Sequence, residues 1–116
     1  MNLVQREFVA ARLIEADFSY ARLDRAELTG AFLTGSKLFG AKARTASFTR
    51  ACLDGSDFRK ADLRRVDFSG ASLIGANFAG ARLENVVWSN TVCPDSTNSD
   101  DNGGTCQGHL RTNEAI

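Results

Sequence analysis

The sequence predicts a solenoid in which the chain turns a corner every five residues. Two observations carry this. Between Ala51 and Leu83 (ACLDG SDFRK ADLRR VDFSG ASLIG ANFAG ARL) every fifth residue is Leu or Phe, and two places before each stands a small residue, nearly always Ala. Neither regular element can bury such a period. In an α-helix a step of five advances the side chain by about 140° and smears the apolar positions round the cylinder. In a strand an odd step flips the side chain to the opposite face. A chain that bends once per unit presents the same two positions inward and three outward, and the internal repeat decides the architecture.

The units ADLRR, ANFAG and ARLEN read A-(D/N)-L-x-x, and on these residues the chain, from about Met1 to Asn90, resembles the pentapeptide-repeat family. The resemblance implies an all-β fold, a right-handed quadrilateral β-helix with four units to a coil and the small and central residues facing in. It implies little about function. One branch of that family resembles duplex DNA and binds DNA gyrase, conferring quinolone resistance; that role calls for an acidic rod, usually dimerised through its C-terminal end.

The central residues give a separate test of the number of faces. Taken twenty apart they sort by type: Leu3, Leu23, Ala43, Leu63 and Leu83 in one column, opposite Leu13, Leu33, Leu53 and Leu73. Phe8, Leu28, Phe48, Phe68 and Trp88 form another, opposite Phe18, Leu38, Phe58 and Phe78. Three units to a coil would stack Phe on Leu, so packing favours an even number. The expected rod, residues 1–92, has about four and a half coils, roughly 22 Å at the strand spacing. A polar segment, residues 93–116, follows it as a C-terminal capping loop and tail.

Composition narrows the function. A chain of 116 residues makes one domain. Its 14 basic and 14 acidic residues balance, which speaks against a general polyanion binder and against an acidic DNA mimic. No run approaches the ~20 apolar residues of a membrane span, and no leader resembling a signal peptide precedes the repeats.

Along the chain, Met1 and Arg6 occupy small-residue positions. A guanidinium cannot enter a packed coil without a partner, so the first coil is expected to be an open end, with Val4, Val9 and Ile14 outward. Either a solvated terminus or an end-to-end homodimer fits, and the chain is read as a monomer or such a dimer. Phe32 and Phe39, just after Tyr20, are expected to point outward on adjoining faces, as partner anchors or as shields for a corner. The fifth position is often Gly (Gly30, Gly35, Gly40, Gly55, Gly70, Gly75, Gly80), as a corner requires, but the column Gln5, Arg25, Thr45, Arg65, Asn85 has none. With Arg22, Lys42, Arg44, Arg64 and Arg82, diluted by Asp24, Asp62 and Glu84, that side is the most basic. It is a docking strip for an anionic partner or a wall whose mixed charges suppress edge association.

After Trp88 the composition turns polar. Cys93 falls where the next central residue should be, and Cys93 and Cys106 are expected to form a disulfide, worth roughly 3 kcal/mol through the unfolded chain. The bridge favours an oxidising compartment, secreted, periplasmic or lumenal, whereas the missing leader leaves the cytoplasm open. Cys52 is left as a free thiol. Asn98, Asp100, Asn102 and Gly103 match the first half of a calcium loop, but His109 stands where the bidentate Glu belongs, and such residues also form turns without metal.

Catalysis finds little support. His109 is the single histidine, Cys52 has none near it in the repeat, and the carboxylates point outward, where nothing excludes water. No cofactor or metal is expected, and the cysteines are too scattered for zinc. The reading is a non-catalytic structural or protein-interaction scaffold with an unidentified protein partner. The alternatives are the gyrase-binding mimic and, more weakly, an anionic-polymer binder acting through the basic face. One consequence concerns Ala43, where a central Leu is missing. Ala43→Leu is expected to raise the melting temperature by filling the gap, and a lowered one in thermal denaturation would mean that the wall has closed in.

Overall fold

The computed structural model of the chain describes residues 1–110. In each unit the second residue pairs in parallel with the residue twenty places on: Asn2 with Arg22, Arg22 with Lys42, Lys42 with Asp62 and Asp62 with Arg82 on one face, and likewise round to Ser72 with Val92. Twenty residues are four units, so the cross-section is four-sided, and the two shorter extents of the molecule are nearly equal, 25 and 24 Å against 34 Å. The faces are numbered here by their first units: one from residue 1, two from 6, three from 11 and four from 16.

The backbone hydrogen bonds explain the repeat. The second residue's N–H donates to the coil before (Arg22 N to Met1 O, 2.8 Å), and those of the third and fifth donate to the coil after (Leu23 N to Lys42 O, 2.6 Å; Arg25 N to Arg44 O, 2.9 Å). The first residue's N–H closes a turn onto the preceding centre (Ala26 N to Leu23 O, 2.9 Å). Only the fourth N–H has no role in this scheme. An Asp or Asn at the second position accepts it: Ser69 N donates to Asp67 at 2.8 Å, Ala79 N to Asn77 at 3.0 Å and Ser19 N to Asp17 at 2.9 Å. The (D/N) of the motif therefore satisfies the one donor the ladders leave over. Asp24 and Asp54, at the fourth position, do the same for the coil below, accepting from Arg44 N at 2.9 Å and Ile74 N at 3.0 Å.

At each corner the residue after the bend takes a positive φ, as the third residue of a type II turn does. Every fifth residue does so, from Gln5 (60°) to Asn90 (50°). Glycine is the cheap occupant, yet Ala10, Thr45, Arg25, Arg65 and others are held there too, at a cost of about 1–2 kcal/mol each for an L-residue. At Gly40 there is a second reason for glycine: a Cβ would stand 2.7 Å from the Tyr20 ring, which lies over it.

Inside, the columns stack like on like. Phe48, Phe68 and Trp88 lie face to face at 5.5 and 5.4 Å, and Phe58 and Phe78 at 5.0 Å. Across the core the two columns meet edge to face at 5.8–6.0 Å, the geometry that the ring quadrupole prefers. Leu23, Leu33, Leu53, Leu63 and Leu73 are fully buried. Ala43 is buried too, and the ladder runs through it unbroken (Ala43 N to Asp62 O, 2.9 Å). In the first coil Leu3, Phe8 and Leu13 are only partly buried, and Met1, Val9 and Ile14 are exposed.

The ladder on face three continues to Val92 and Pro94 (Leu73 N to Val92 O, 2.8 Å; Gly75 N to Pro94 O, 3.0 Å). There the positive φ slips one place, to Ser96, and the chain doubles back, with Asn98 antiparallel to Val92. A 3₁₀ turn, Ser99–Asn102, follows. Cys93 and Cys106, both buried, form the expected disulfide. Ser99 Oγ donates to Trp88 O and accepts from Thr91 N, pinning this segment against the end of the core. The last six residues of the tail, 111–116, lie outside the described residues.

The corner geometry yields a stability prediction. Thr45 is exposed, β-branched and held at φ 62°. Replacing it with glycine relieves the left-handed strain at the cost of a looser unfolded chain. Thr45→Gly should therefore stabilise the protein by about 0.5–1 kcal/mol, read as a higher urea midpoint with an unchanged slope.

Candidate docking face

Because the first and third positions of each unit are spent on the core, any site must be built from the second, fourth and fifth. On face one these positions converge on an open trough of about 730 Å³ lined by Arg22, Arg25, Arg44, Arg64, Arg65 and Arg82, with Asp24, Glu84, Val4, Thr45 and Asn85. Six of the seven basic residues expected on this side line the trough. Lys42 stands in the same ladder, between Arg22 and Asp62, but does not line it.

The carboxylates sort these cations into two sets. Asp62 takes a two-pronged contact from Arg64, two places on, at 2.8 and 2.6 Å, and Asp57 on face four takes the same contact from Arg59 at 2.9 and 2.8 Å. Asp24 reaches down one coil to Arg44 at 3.2 and 2.9 Å. Arg82 and Glu84 approach to 3.7 Å with both side chains more than half exposed, which contributes little. Among the described residues, Arg22, Arg25 and Arg65 have no carboxylate partner within salt-bridge distance.

Titration follows from the geometry. Partial burial pushes the Asp24 carboxyl up, but the guanidinium and backbone N–H of Arg44 outweigh it and hold Asp24 below the ordinary carboxylate range. Asp62 is lowered chiefly by its hydrogen bonds from Arg64, and Asp57 by those from Arg59, against the same opposing burial. The guanidiniums of Arg44 and Arg64 are correspondingly raised by their Asp partners. A lowered folded pKa means that each pair's stabilisation is present above the ordinary aspartate value and is lost as pH falls through the lower folded one.

The two phenylalanines differ in exposure. Phe32 is 48% exposed on face three, in the ladder above Cys52. Phe39, expected to be exposed, is half-buried. Its ring meets Tyr20 edge to face at 5.6 Å and packs against Arg59, whose Cζ is 5.1 Å from the centroid. The physical reason is the stacking of coils: Tyr20 from above and Arg59 from below both fold onto the same corner, so Phe39 shields it.

Cys52 is a half-buried free thiol with Thr34 Oγ1 at 3.3 Å. His109 Nδ1 lies 2.7 Å from Asp95 Oδ2, clamping the start and end of the cap. Burial pushes the Asp95 carboxyl up, and hydrogen bonds from Thr97 and His109 bring it below its ordinary value. The calcium-like residues are engaged locally: Asn98 accepts from Asp100 N at 2.8 Å and donates to Asn90, Asp100 accepts from Asn90 N at 2.9 Å, and Asn102 donates to Thr97 at 2.7 Å. Among the described residues no group of three His, Cys, Asp or Glu side chains is placed to hold a metal, and no helix is long and apolar enough to cross a membrane.

Parallel single-residue ladders closing after four units define a β-solenoid protein whose outward features are walls and an arginine trough. The chain belongs to the pentapeptide-repeat family: the family model described as pentapeptide repeats matches residues 7–42, 43–65 and 51–90. Its fold is the family's right-handed quadrilateral β-helix. Among solved structures it is similar to a pentapeptide-repeat protein from the Arabidopsis thaliana thylakoid lumen, at 28% identity over 82% of this chain and 74% of that one, with a TM-score of 0.51. HetL from the cyanobacterium Nostoc, involved in heterocyst differentiation regulation, matches at 24% identity over 84% of this chain and 65% of its own, with a TM-score of 0.39. Rfr23 from the cyanobacterium Cyanothece matches at 24% identity over 70% and 58%, with a TM-score of 0.44. No curated protein matches the chain.

The cap makes one prediction. With the oxygens of Asn98 and Asp100 already accepting backbone N–H groups, millimolar calcium should leave the melting temperature where a chelator leaves it. A rise of several degrees with calcium alone would assign the loop to a metal.

Proposed function

We propose that this protein is a non-catalytic, protein-interaction scaffold that presents face one to a protein partner. The arginine trough is the observation that supports this reading. The repeat spends its apolar side chains and most of its backbone donors on holding itself rigid, and the trough is where uncommitted charge accumulates. A catalytic reading would need a base and a nucleophile within reach in a water-excluding cleft, and His109 is tied to Asp95 in the cap while Cys52 stands on face three. The gyrase-binding role calls for an acidic rod, and the net charge of zero together with the arginine-lined wall favours the scaffold instead.

The reading is tested by placing a photo-crosslinking residue at position 42 or 85 on face one, or at position 12 on face three, in the organism that makes the protein. A discrete protein should be captured from positions 42 and 85 and not from 12. Capture confined to position 12, or none from face one, would sink it.

A further inference from the structure

We infer that the trough on face one binds an extended acidic segment of a protein partner, with Arg22, Arg25 and Arg65 as the carboxylate-binding residues. This rests on the scaffold reading and adds the chemistry of the partner.

Three observations fix that chemistry. First, the six arginines are unequal. Arg44 and Arg64 are held by Asp24 and Asp62, whereas Arg22, Arg25 and Arg65 line the trough with no carboxylate partner among the described residues. A guanidinium is shaped for two-pronged contact with a carboxylate, as Asp57 and Asp62 already demonstrate within this chain. Secondly, Arg25 and Arg65 occupy one column of corners with Thr45 between them. Two coil steps put their backbones about 9.6 Å apart, and the short Thr45 leaves a notch into which a ligand carboxylate fits between two guanidiniums. Thirdly, the lining runs from Val4 to Glu84 and Asn85, four coil steps or about 19 Å, the length of about six extended residues.

The same observations disfavour a nucleic acid. No aromatic side chain lines the trough, so bases lack the aromatic platform that single-strand binding grooves supply. Glu84, also in the lining and only loosely held by Arg82, would oppose a continuous phosphate chain, while for a peptide it is an acceptor for an N–H group. The zero net charge gives no long-range attraction for a polyanion.

The test is fluorescence anisotropy with a labelled peptide of about eight residues alternating Glu and Ser, and with an oligothymidylate of the same length, at ~50 mM salt. The peptide should bind saturably and more tightly than the oligothymidylate. Arg25→Glu with Arg65→Glu should weaken peptide binding by roughly tenfold or more. Thr45→Glu, which puts a carboxylate of the chain's own into the notch and removes no arginine, should do the same. Arg12→Glu with Arg50→Glu, the same charge change away from the trough, should alter it less than about twofold. Absence of saturable peptide binding, equal losses in the two double variants, or tighter binding of the oligothymidylate would overturn the inference. If face-one crosslinks to a partner persist after such a result, the scaffold reading stands and only the acidic-segment chemistry falls.

Discussion

The whole molecule depends on one backbone constraint, a left-handed residue at every fifth position. Without it the chain would run on as a strand and the next Leu or Phe would point to solvent. With it, each centre returns to the interior and each second residue lies over its counterpart twenty places away. The cost recurs at every corner, and it is heavier at Arg25, Thr45 and Arg65 than at the glycines. It is offset by what the corner makes possible: two ladder bonds to the coil below, one to the coil above, a turn bond and two buried side chains per unit. Since each coil touches only its neighbours, these terms add along the axis, as in other solenoids.

Much of this was legible because the repeat is strict. The period excluded helix and flat sheet, and the sorting of Leu and Phe into separate columns pointed to an even number of faces; stacked rings at 5.0–5.5 Å are the outcome. The disulfide was legible from Cys93 standing in a central position with Cys106 after a polar loop. Less visible was that non-glycine residues share the corner conformation, because a left-handed Arg65 looks like any other arginine in a sequence. The second-position Asp or Asn could be counted but not explained until the backbone donors were assigned and one proved to be left over.

On the walls the sequence located the charges but not their pairings. The spacing D-x-R in Asp57–Arg59 and Asp62–Arg64 was a usable signal, since the second and fourth positions of one unit lie on the same side of a corner. Asp24 with Arg44 could not be found that way, because the contact crosses coils and depends on a fourth-position side chain reaching down rather than along. Phe39 took the second of its two readings, a corner shield, for the same reason: a residue outward in its own unit is covered from neighbouring coils, by Tyr20 above and Arg59 below. In a solenoid, exposure at a position is a property of the column and not of the repeat.

That distinction bears on what a rigid wall can recognise. The ladder fixes the spacing of every column at the strand separation, so the backbone roots of its arginines cannot drift together or apart as they would on a loop. A partner that matches the spacing then meets a site whose backbone is already ordered, and less of the association energy is lost to ordering it. The internal pairs sharpen the match. By holding Arg44 and Arg64, Asp24 and Asp62 leave the remaining guanidiniums as separate points instead of a continuous positive stripe. Because both carboxyls are held below their ordinary range, that spacing of free charge persists at any pH at which a partner's own carboxylates are ionised. For a partner of the proposed kind, register along the axis is the coordinate to match, because that is the direction in which the ladder sets the spacing of the columns.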